Sequence, residues 1–483
     1  MPAALRSDLL VVAGQRQAAR DGATSEVLAP ATGEPFARVA RAGPEDVELA
    51  LAAADAAFDD GRGPWPSTSA TVRGRVLGRV AELLRERAED LAELEARGAG
   101  HPIGDARWEV EAAARTFEYY AGAANKHLGT TIPIMDPGLA VTLREPVGVC
   151  ALIVPWNFPL LIASWKVAPA LACGNPIILK PASLTPLTAL ALGDLLVEAG
   201  VPEGAVHVLS GPGSVLGDLL VGDPRVAKVG FTGETATGAH ILRQGSDTIT
   251  RTSLELGGKS AALVFADADV EQAAAATPMS VFANAGQDCC ARSRILVERP
   301  AYDAFVDAFA RATEALVVGE PLDEATEVGP MISAGQRQTS LDYLAIGAEE
   351  GTRLVCGGEV PDRPGFYLSP AVLADASNAM RVSREEIFGP VAAVIPFDDE
   401  DEAVRIANDS DYGLSGSLWT GSSTRAIRVA RRLRTGSLSV NSHSSVRVET
   451  PFGGMRRSGL GRELGLAAMD TYSEVRTVFF AEE

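Results

Sequence analysis

The sequence is poor in the side chains that most often bind metals, with only five cysteines and five histidines among 483 residues. No two cysteines have the CxxC spacing of common zinc sites, and no histidines lie at metal-ligand intervals. We therefore expect no metal centre. Because an odd number of cysteines cannot all pair, we expect free thiols in a reduced, cytoplasmic protein; they are Cys150, Cys173, Cys289, Cys290 and Cys356.

The sequence also lacks an excess of positive charge and long apolar runs. Its formal net charge of −20 excludes the basic face that nucleic acids and anionic membranes require. No apolar run approaches the roughly 20 residues of a membrane-spanning helix, and residues 1–15 lack the pattern of a signal peptide. We expect neither a nucleic-acid nor a membrane partner. With 46% hydrophobic residues, the chain can bury a large core in about three domains.

The first part of the chain changes from short strands to helices. Residues 5–40 have the pattern of strands and turns, and apolar residues from Pro44 onward recur on one helical face. Ser67 and Thr68 are candidate caps of one long helix that ends near Gly98. A further helix is predicted at 106–124.

From residue 139 onward, apolar runs alternate with helical segments. Runs at 147–154, 176–179, 205–209, 227–231 and 253–256 predict strands buried on both faces, with helices at 187–198 and 215–221. A second series predicts strands at 260–265, 293–297, near 366 and at 391–396, with a helix at 302–315. This alternation is typical of parallel α/β sheets. The tail at 473–480 alternates like an edge strand, which often pairs with another subunit.

The adjacent cysteines of residues 282–291 are the leading candidates for a nucleophile. A thiol is a strong nucleophile once its pKa is lowered or a base lies near, although a cysteine pair is more often a small buried apolar unit. Asn157 follows a buried strand, where open α/β sheets bind ligands, and its amide could stabilise an oxyanion or simply occupy a turn.

Two charged residues also end predicted strands. Lys180 places its charge where a ribose or phosphate could bind, or extends to the surface. Glu255 lies between two leucines, so burial would raise its pKa toward that of a general base, although a lone glutamate is more often salt-bridged. The glycine-rich segment 230–238 joins a strand to a helix, as phosphate-binding loops do, but its pattern is not GxGxxG.

Together with Glu386-Ile387-Phe388-Gly389-Pro390 and Pro451-Phe452-Gly453-Gly454, these motifs resemble those of the aldehyde dehydrogenase superfamily, from about residue 30 to 479. The resemblance implies that Cys289 is the nucleophile, Glu255 the general base and Asn157 the oxyanion donor. It implies NAD or NADP as cofactor, contacted by Val154, Pro155, Trp156, Lys180, Ser183, Gly213, Phe231, Thr232, Gly233, Glu234, Leu256, Gly257, Glu386 and Phe388. A substrate tunnel would be lined by Phe158, Ile162, Trp165, Asp288, Ser444, Val446 and Phe452.

The resemblance also implies a three-part α/β architecture. A Rossmann-like cofactor domain would comprise 1–127 and 146–255, an α/β catalytic domain 256–469, and a small β oligomerisation arm 128–145 and 470–483. We expect a homodimer or homotetramer. Ser183 and Glu234 replace a carboxylate and a serine that are frequent in the family, which leaves the preference between NAD and NADP open.

The apolar tunnel predicts oxidation of a medium-chain or aromatic aldehyde to its acid. Asp288 and Ser444 leave an amino-aldehyde or semialdehyde as the alternative. Transfer of the acyl group to coenzyme A is a further option, against which Glu255 argues. Two readings from other classes are a cofactor-independent thiol esterase and a catalytically silent homologue. The first leaves Lys180 and Glu386 unexplained, and the second does not need three catalytic residues together.

Overall fold

The structure is a computed structural model that describes residues 6–444 and 446–482. The first part of the chain contains β1 (Arg6–Asp8), β2 (Leu10–Val12), β3 (Gln15–Gln17), β4 (Thr24–Leu28), β5 (Pro35–Ala40), α1 (Pro44–Phe58), α2 (Ala70–Glu86), α3 (Ala88–Ala99) and α4 (Ile103–Ala123). The predicted long helix ending near Gly98 is wrong, because the chain breaks at Arg87 (φ −111°, ψ 20°) into α2 and α3. The residue before α2 is Ser69, not Ser67 or Thr68.

The next segment supplies the strands of the largest sheet. It contains β6 (Thr131–Ile132), β7 (Gly138–Pro146), β8 (Val149–Ile153), α5 (Pro159–Ala172), β9 (Ile177–Lys180), α6 (Leu187–Glu198), β10 (Val206–Val208), α7 (Gly213–Val221), β11 (Val226–Thr232), α8 (Thr235–Gly245) and β12 (Arg251–Glu255). The alternation predicted from apolar runs is confirmed here. Side chains of β8 alternate between two cores, with Leu152 on one face and Ala151 on the other, so both faces are buried.

A second α/β series follows. It contains β13 (Ala261–Val264), α9 (Val270–Phe282), β14 (Arg294–Glu298), α10 (Tyr302–Glu314), α11 (Ala334–Glu349), β15 (Arg353–Cys356), β16 (Ala371–Ala374), α12 (Arg381–Arg384), β17 (Val391–Phe397), α13 (Glu400–Asn408), β18 (Gly416–Trp419), α14 (Ser423–Ala430) and β19 (Ser439–Val440). The strand predicted near residue 366 is wrong. Phe366 lies in a loop, where its N–H bonds to the Pro30 carbonyl after Gly365 at φ +96°.

The chain ends with β20 (Gly459–Leu460), α15 (Ala467–Asp470) and β21 (Ser473–Ala481). An eight-stranded sheet has the order β20-β12-β11-β8-β9-β10-β2-β3, and a seven-stranded sheet has the order β15-β16-β17-β14-β13-β18-β19. The central strands of both sheets are parallel. Two three-stranded sheets, β1-β5-β4 and β21-β7-β6, complete the described strands.

The C-terminal strand has a partner within its own chain. β21 pairs antiparallel with β7 over Ser473–Ala481, and its other edge has no partner in the described part of the chain. Several apolar side chains of this small sheet are exposed: Leu139, Leu143, Val475, Phe479 and Phe480. No helix among residues 6–444 and 446–482 is long and apolar enough to cross a membrane.

The side chain of Asn175 forms hydrogen bonds with three separate segments next to the eight-stranded sheet. Its Oδ1 accepts from Gly148 N at 3.1 Å, while its Nδ2 donates to the Ala170 and Tyr472 carbonyls at 3.1 and 2.9 Å. The side chain is fully buried. It therefore joins the start of β8, the end of α5 and the segment that leads into β21.

We expect Asn175→Ala to lower the free energy of unfolding by about 2–4 kcal/mol, because buried groups would lose their partners. The urea midpoint, followed by tryptophan fluorescence, measures the loss. The control is Asn125→Ala, an exposed amide with two long contacts of 3.4 Å, for which we expect less than about 0.5 kcal/mol. Equal midpoints for the two variants would contradict this role of Asn175.

Candidate active site

The candidate residues of the first sheet meet at one edge. Strands β8, β9, β11 and β12 are parallel neighbours, so their carboxyl ends lie side by side. Lys180, Thr232 and Glu255 each end a strand, and Asn157 lies in the loop after β8. The sheet therefore brings together side chains that lie up to 98 positions apart in the sequence.

The cysteine turn, residues 283–291, follows α9 and has an unusual backbone. Asn284, Ala285 and Gly286 have φ angles of 51°, 53° and 72°, which turn the chain sharply. A Cβ on Gly286 would lie 2.2 Å from the Gly389 carbonyl oxygen, so the close approach requires glycine. Cys289 is partly exposed, whereas the four other cysteines are buried.

Two side-chain amides join the cysteine turn to the loop after β8, and a third holds the turn itself. Asn157 Nδ2 donates to the Gln287 carbonyl at 2.9 Å, and Asn284 Nδ2 donates to the Asn157 carbonyl at 2.8 Å. Gln287 Nε2 donates to the Asn284 carbonyl, and its Oε1 accepts from Ile332 N at 2.9 Å. All three side chains are buried. Since an amide carries two N–H donors, Asn157 keeps a second one for a ligand.

Three cavities meet around the strand ends. The strand-end cavity has a volume of about 600 Å³ and is lined by Lys180, Gly213 and Phe231, among others. The central cavity, about 480 Å³, is lined by Asn157, Glu386 and Phe388. These two cavities share Pro155, Trp156, Thr232, Gly233, Glu234 and Ala236, so they are contiguous.

The aromatic cavity, about 390 Å³, approaches the cysteine from the other side. Phe158, Trp165 and Phe452 line it, and the Trp165 and Phe452 rings are 5.4 Å apart. It shares Thr232, Glu255 and Cys289 with the central cavity. The candidate nucleophile and the candidate base therefore lie where a cofactor-sized space meets a substrate-sized space.

Burial alters the charges at this junction. Burial, followed by the negative charge of Glu463, raises the pKa of Glu255 well above its usual value. Both Glu255 oxygens are buried with no hydrogen-bond partner among the described residues. The hydrogen bond with Cys290, followed by burial, raises the pKa of the Cys289 thiol. The raised pKa favours the protonated thiol over the thiolate.

The central and strand-end cavities contain two further buried charges. Burial raises the pKa of Glu386 to about 7, although the carboxylate accepts from Gly258 N at 2.9 Å. Burial lowers the pKa of Lys180 to about 8. The Phe388 ring meets the Trp156 ring edge to face at 5.3 Å, and Gln336 Nε2 holds the Phe388 carbonyl.

The structure brings nearly all the sequence-predicted residues to these cavities. The cofactor candidates that line the central or strand-end cavity are Val154, Pro155, Trp156, Lys180, Gly213, Phe231, Thr232, Gly233, Glu234, Leu256, Gly257, Glu386 and Phe388. The tunnel candidates that line the aromatic cavity are Phe158, Ile162, Trp165, Asp288, Ser444, Val446 and Phe452. Ser183 lines none of the three cavities, and its hydroxyl donates to the Gly211 carbonyl at 2.7 Å.

One polar wall of the aromatic cavity was not predicted from the sequence. His101 lines it just before α4, Asp105, Trp108 and Glu109 line it from the first turns of α4, and Arg292 and His443 line it near the cysteine turn. Residues 105, 108 and 109 have the i, i+3, i+4 spacing of one helical face, which was visible in the sequence. Gln336, Tyr412 and Arg457 of the central cavity were also missed.

Known proteins are similar to this chain in both sequence and fold. The model of the aldehyde dehydrogenase family matches residues 17–478. A betaine aldehyde dehydrogenase of Sinorhizobium fredii is 44% identical over 463 residues, 95% of this chain and 94% of that protein. One of Bacillus subtilis is 40% identical over 98% of this chain and 97% of that protein. The NAD+ complex of an aldehyde dehydrogenase from Bacillus cereus has a TM-score of 0.97 at 39% identity, with 99% and 97% of the two chains covered.

We expect Cys289 to be the first thiol that iodoacetamide alkylates, because the other cysteines are buried. Peptide mass spectrometry should find one fast-reacting site per chain. Cys289→Ala should abolish the fast labelling, whereas Cys290→Ala should retain it. The labelling rate should rise with pH, since the thiol has a raised pKa. Fast labelling that survives Cys289→Ala would contradict the assignment.

Proposed function

The chain belongs to the aldehyde dehydrogenase family, and we therefore propose that it oxidises a cationic amino-aldehyde to the carboxylic acid, with NAD or NADP as hydride acceptor. One observation carries the proposal. Cys289 and Glu255 are shared by the central cavity and the aromatic cavity, and the aromatic cavity also contains carboxylates. A thiol esterase would also use Cys289 but would leave the strand-end cavity without a role.

The contiguous strand-end and central cavities fit a dinucleotide. Lys180 and the start of α7 at Gly213 would hold the adenosine ribose, and the positive N-terminal end of α8 would face the pyrophosphate. Glu386 and Phe388 would hold the nicotinamide ribose. Thr232 Oγ1 is buried and has no hydrogen-bond partner among the described residues, which suits a site completed by a ligand. The nicotinamide supplies the hydride acceptor when the cofactor is bound.

The residues around Cys289 divide the reaction into two steps. Once the thiol proton has passed to water, Sγ bonds to the aldehyde carbon, the carbonyl π electrons move to oxygen, and the second N–H of the Asn157 amide stabilises the oxyanion. Loss of hydride from that carbon to the cofactor, when bound, would leave a thioester on Cys289. Glu255 then takes a proton from the water that attacks the thioester, and the carbon–sulfur bond breaks to release the acid and the Cys289 thiolate. The raised pKa of Glu255 makes it a stronger base than an exposed glutamate.

The aromatic cavity favours a cationic substrate over the medium-chain or aromatic aldehyde expected from its apolar lining. Asp105 and Glu109 line it, and the aromatic faces of Trp108, Trp165 and Phe158 can contact a cation, each worth about 0.5–2 kcal/mol. Glu109 Oε1 lies 2.5 Å from His101 Nδ1, and this ion pair neutralises the negative charge of Glu109. Of the two carboxylates that α4 presents to the cavity, Asp105 is therefore the one that remains for the substrate. Relatives named betaine aldehyde dehydrogenase support this choice.

We also propose that the chain forms a homodimer or homotetramer through the β21-β7-β6 sheet. Its exposed apolar side chains and the unpaired edge of β21 favour a second copy as the covering surface. Light scattering should find a dimer or tetramer at micromolar concentration, and Phe479→Arg should shift it to smaller species. An active, stable monomer of the parent protein would refute the proposal.

We expect Glu255→Gln to reduce about one equivalent of cofactor in a burst and then to stall, because only the water step lacks its base. Stopped-flow absorbance of the reduced cofactor measures the burst. In the parent enzyme the steady-state rate should rise with pH through the raised pKa of Glu255, since the deprotonated carboxylate is the active form. The control is Glu198→Gln, an exposed carboxylate. Undiminished steady turnover by Glu255→Gln would remove Glu255 from the mechanism.

We expect Asp105→Asn to lower kcat/KM for betaine aldehyde at least about tenfold, or 1.4 kcal/mol, because the trimethylammonium group loses its counter-charge. For the uncharged hexanal, kcat/KM should not fall. Asp90→Asn, at an exposed carboxylate on α3, is the matched control. A parent enzyme that prefers hexanal to betaine aldehyde would refute the cationic substrate, and equal losses for both aldehydes would refute the role of Asp105.

A further inference from the structure

Asp288, Cys289 and Cys290 converge on one point in front of the aromatic cavity. One carboxylate oxygen and the two sulfur atoms all lie within 4.8 Å of one another. We propose that these three residues bind a thiophilic divalent cation of the Zn²⁺ and Cd²⁺ class, and that the bound cation blocks the nucleophile. This goes beyond the dehydrogenase reaction, which has no use for Cys290.

The turn explains how three consecutive side chains reach the same point. Successive side chains of a strand alternate between faces, and those of a helix diverge around its axis. Here the Ala291 N–H bonds to the Asp288 carbonyl at 3.0 Å, and the Cys290 N–H bonds to Asp288 Oδ1 at 2.8 Å. These two bonds fold residues 288–291 into a tight turn that presents the carboxylate and both thiols on one side.

The ligand set suits a soft or borderline cation. Zinc binds thiolate sulfur at about 2.3 Å and carboxylate oxygen at about 2.0–2.2 Å, so the ligand atoms of one ion lie about 3.5–3.8 Å apart. Atoms already within 4.8 Å need only small side-chain rotations to reach that separation. Three protein ligands leave the fourth tetrahedral position open toward the cavity for water. Hard cations such as Mg²⁺ are excluded, because they require oxygen ligands.

Charges around the turn fit the bound ion. Two thiolates and one carboxylate carry three negative charges, of which a divalent cation neutralises two. The Arg292 guanidinium donates to the Cys290 carbonyl at 2.9 Å, and its positive charge acts on Asp288. It can therefore balance the remaining charge of the complex.

Binding exchanges protons for the cation. Two S–H bonds break, two sulfur–metal bonds form, and two protons pass to solvent, with no change in oxidation state. Because binding releases both thiol protons, the apparent affinity should fall as the pH falls. Cysteines adjacent in a turn have neither the CxxC spacing nor the histidine intervals of common zinc sites, so the sequence pattern did not predict this site.

Cadmium is the probe of choice, because its thiolate complexes absorb in the ultraviolet. The reduced full-length protein is titrated with CdCl₂ in thiol-free buffer, and the ultraviolet band and equilibrium dialysis report binding without any turnover. We expect one Cd²⁺ per chain in the parent. We expect the band to be lost in Cys290→Ser and in Cys289→Ser, and Asp288→Asn to bind at least threefold more weakly.

Cys356→Ser is the matched control, since Cys356 is a buried thiol on β15, and its band should equal that of the parent. In assays normalised to each variant's own rate, Cys290→Ser should require at least tenfold more Cd²⁺ for half-inhibition. Should Cys290→Ser fail to fold, Cys289→Ser gives the same test by absorbance. An unchanged band in either serine variant, or a band lost in Cys356→Ser, would overturn the proposal. Since binding is measured without substrate, its failure would be distinguishable from a failure of the dehydrogenase assignment.

Discussion

The hydrogen bonds among Asn157, Asn284 and Gln287 fix the site on which the rest of the structure depends. They attach the loop after β8, a strand of the eight-stranded sheet, to the cysteine turn after α9, which lies between two strands of the seven-stranded sheet in the chain. A backbone with three successive positive φ angles is strained in isolation, and the buried amides hold it. Without this attachment, Cys289 would not lie at the boundary between the central and aromatic cavities.

Buried charge is the second constraint, and it supplies the reactivity of the site. The Glu255 carboxylate is buried at the end of β12, and the charged groups that act on it most strongly are Glu463, Lys166 and Arg462. Lys166 forms a fully buried ion pair with Glu463, so the cluster remains near neutrality around the candidate base. Burying these groups costs stability, and the large two-sided core of the first sheet offsets that cost. The same desolvation makes Glu255 a better proton acceptor.

Much of this arrangement follows from local sequence, and the rest depends on tertiary contacts. Parallel strands such as β8 and β11 were predictable because continuous apolar runs require burial on both faces. Helix α5 was not predicted, because it is apolar on nearly every side and lacks the polar stripe by which an amphipathic helix is recognised. The break at Arg87 between α2 and α3 was invisible, since both helices have suitable periodicity. Asp105 was not predicted, because the sequence alone does not show that the start of α4 lines the aromatic cavity.

The proposed reaction requires that Cys289 carry a thioester made from a cationic aldehyde. It is tested most directly by rapid acid quenching of the parent enzyme during turnover of betaine aldehyde and NAD, followed by peptide mass spectrometry. A thioester survives denaturation, whereas a thiohemiacetal reverts to thiol and aldehyde. We expect the acyl mass on Cys289 alone, and only when both aldehyde and NAD are present. An acyl group on Cys290 or another residue, or no acyl group during sustained turnover, would contradict it.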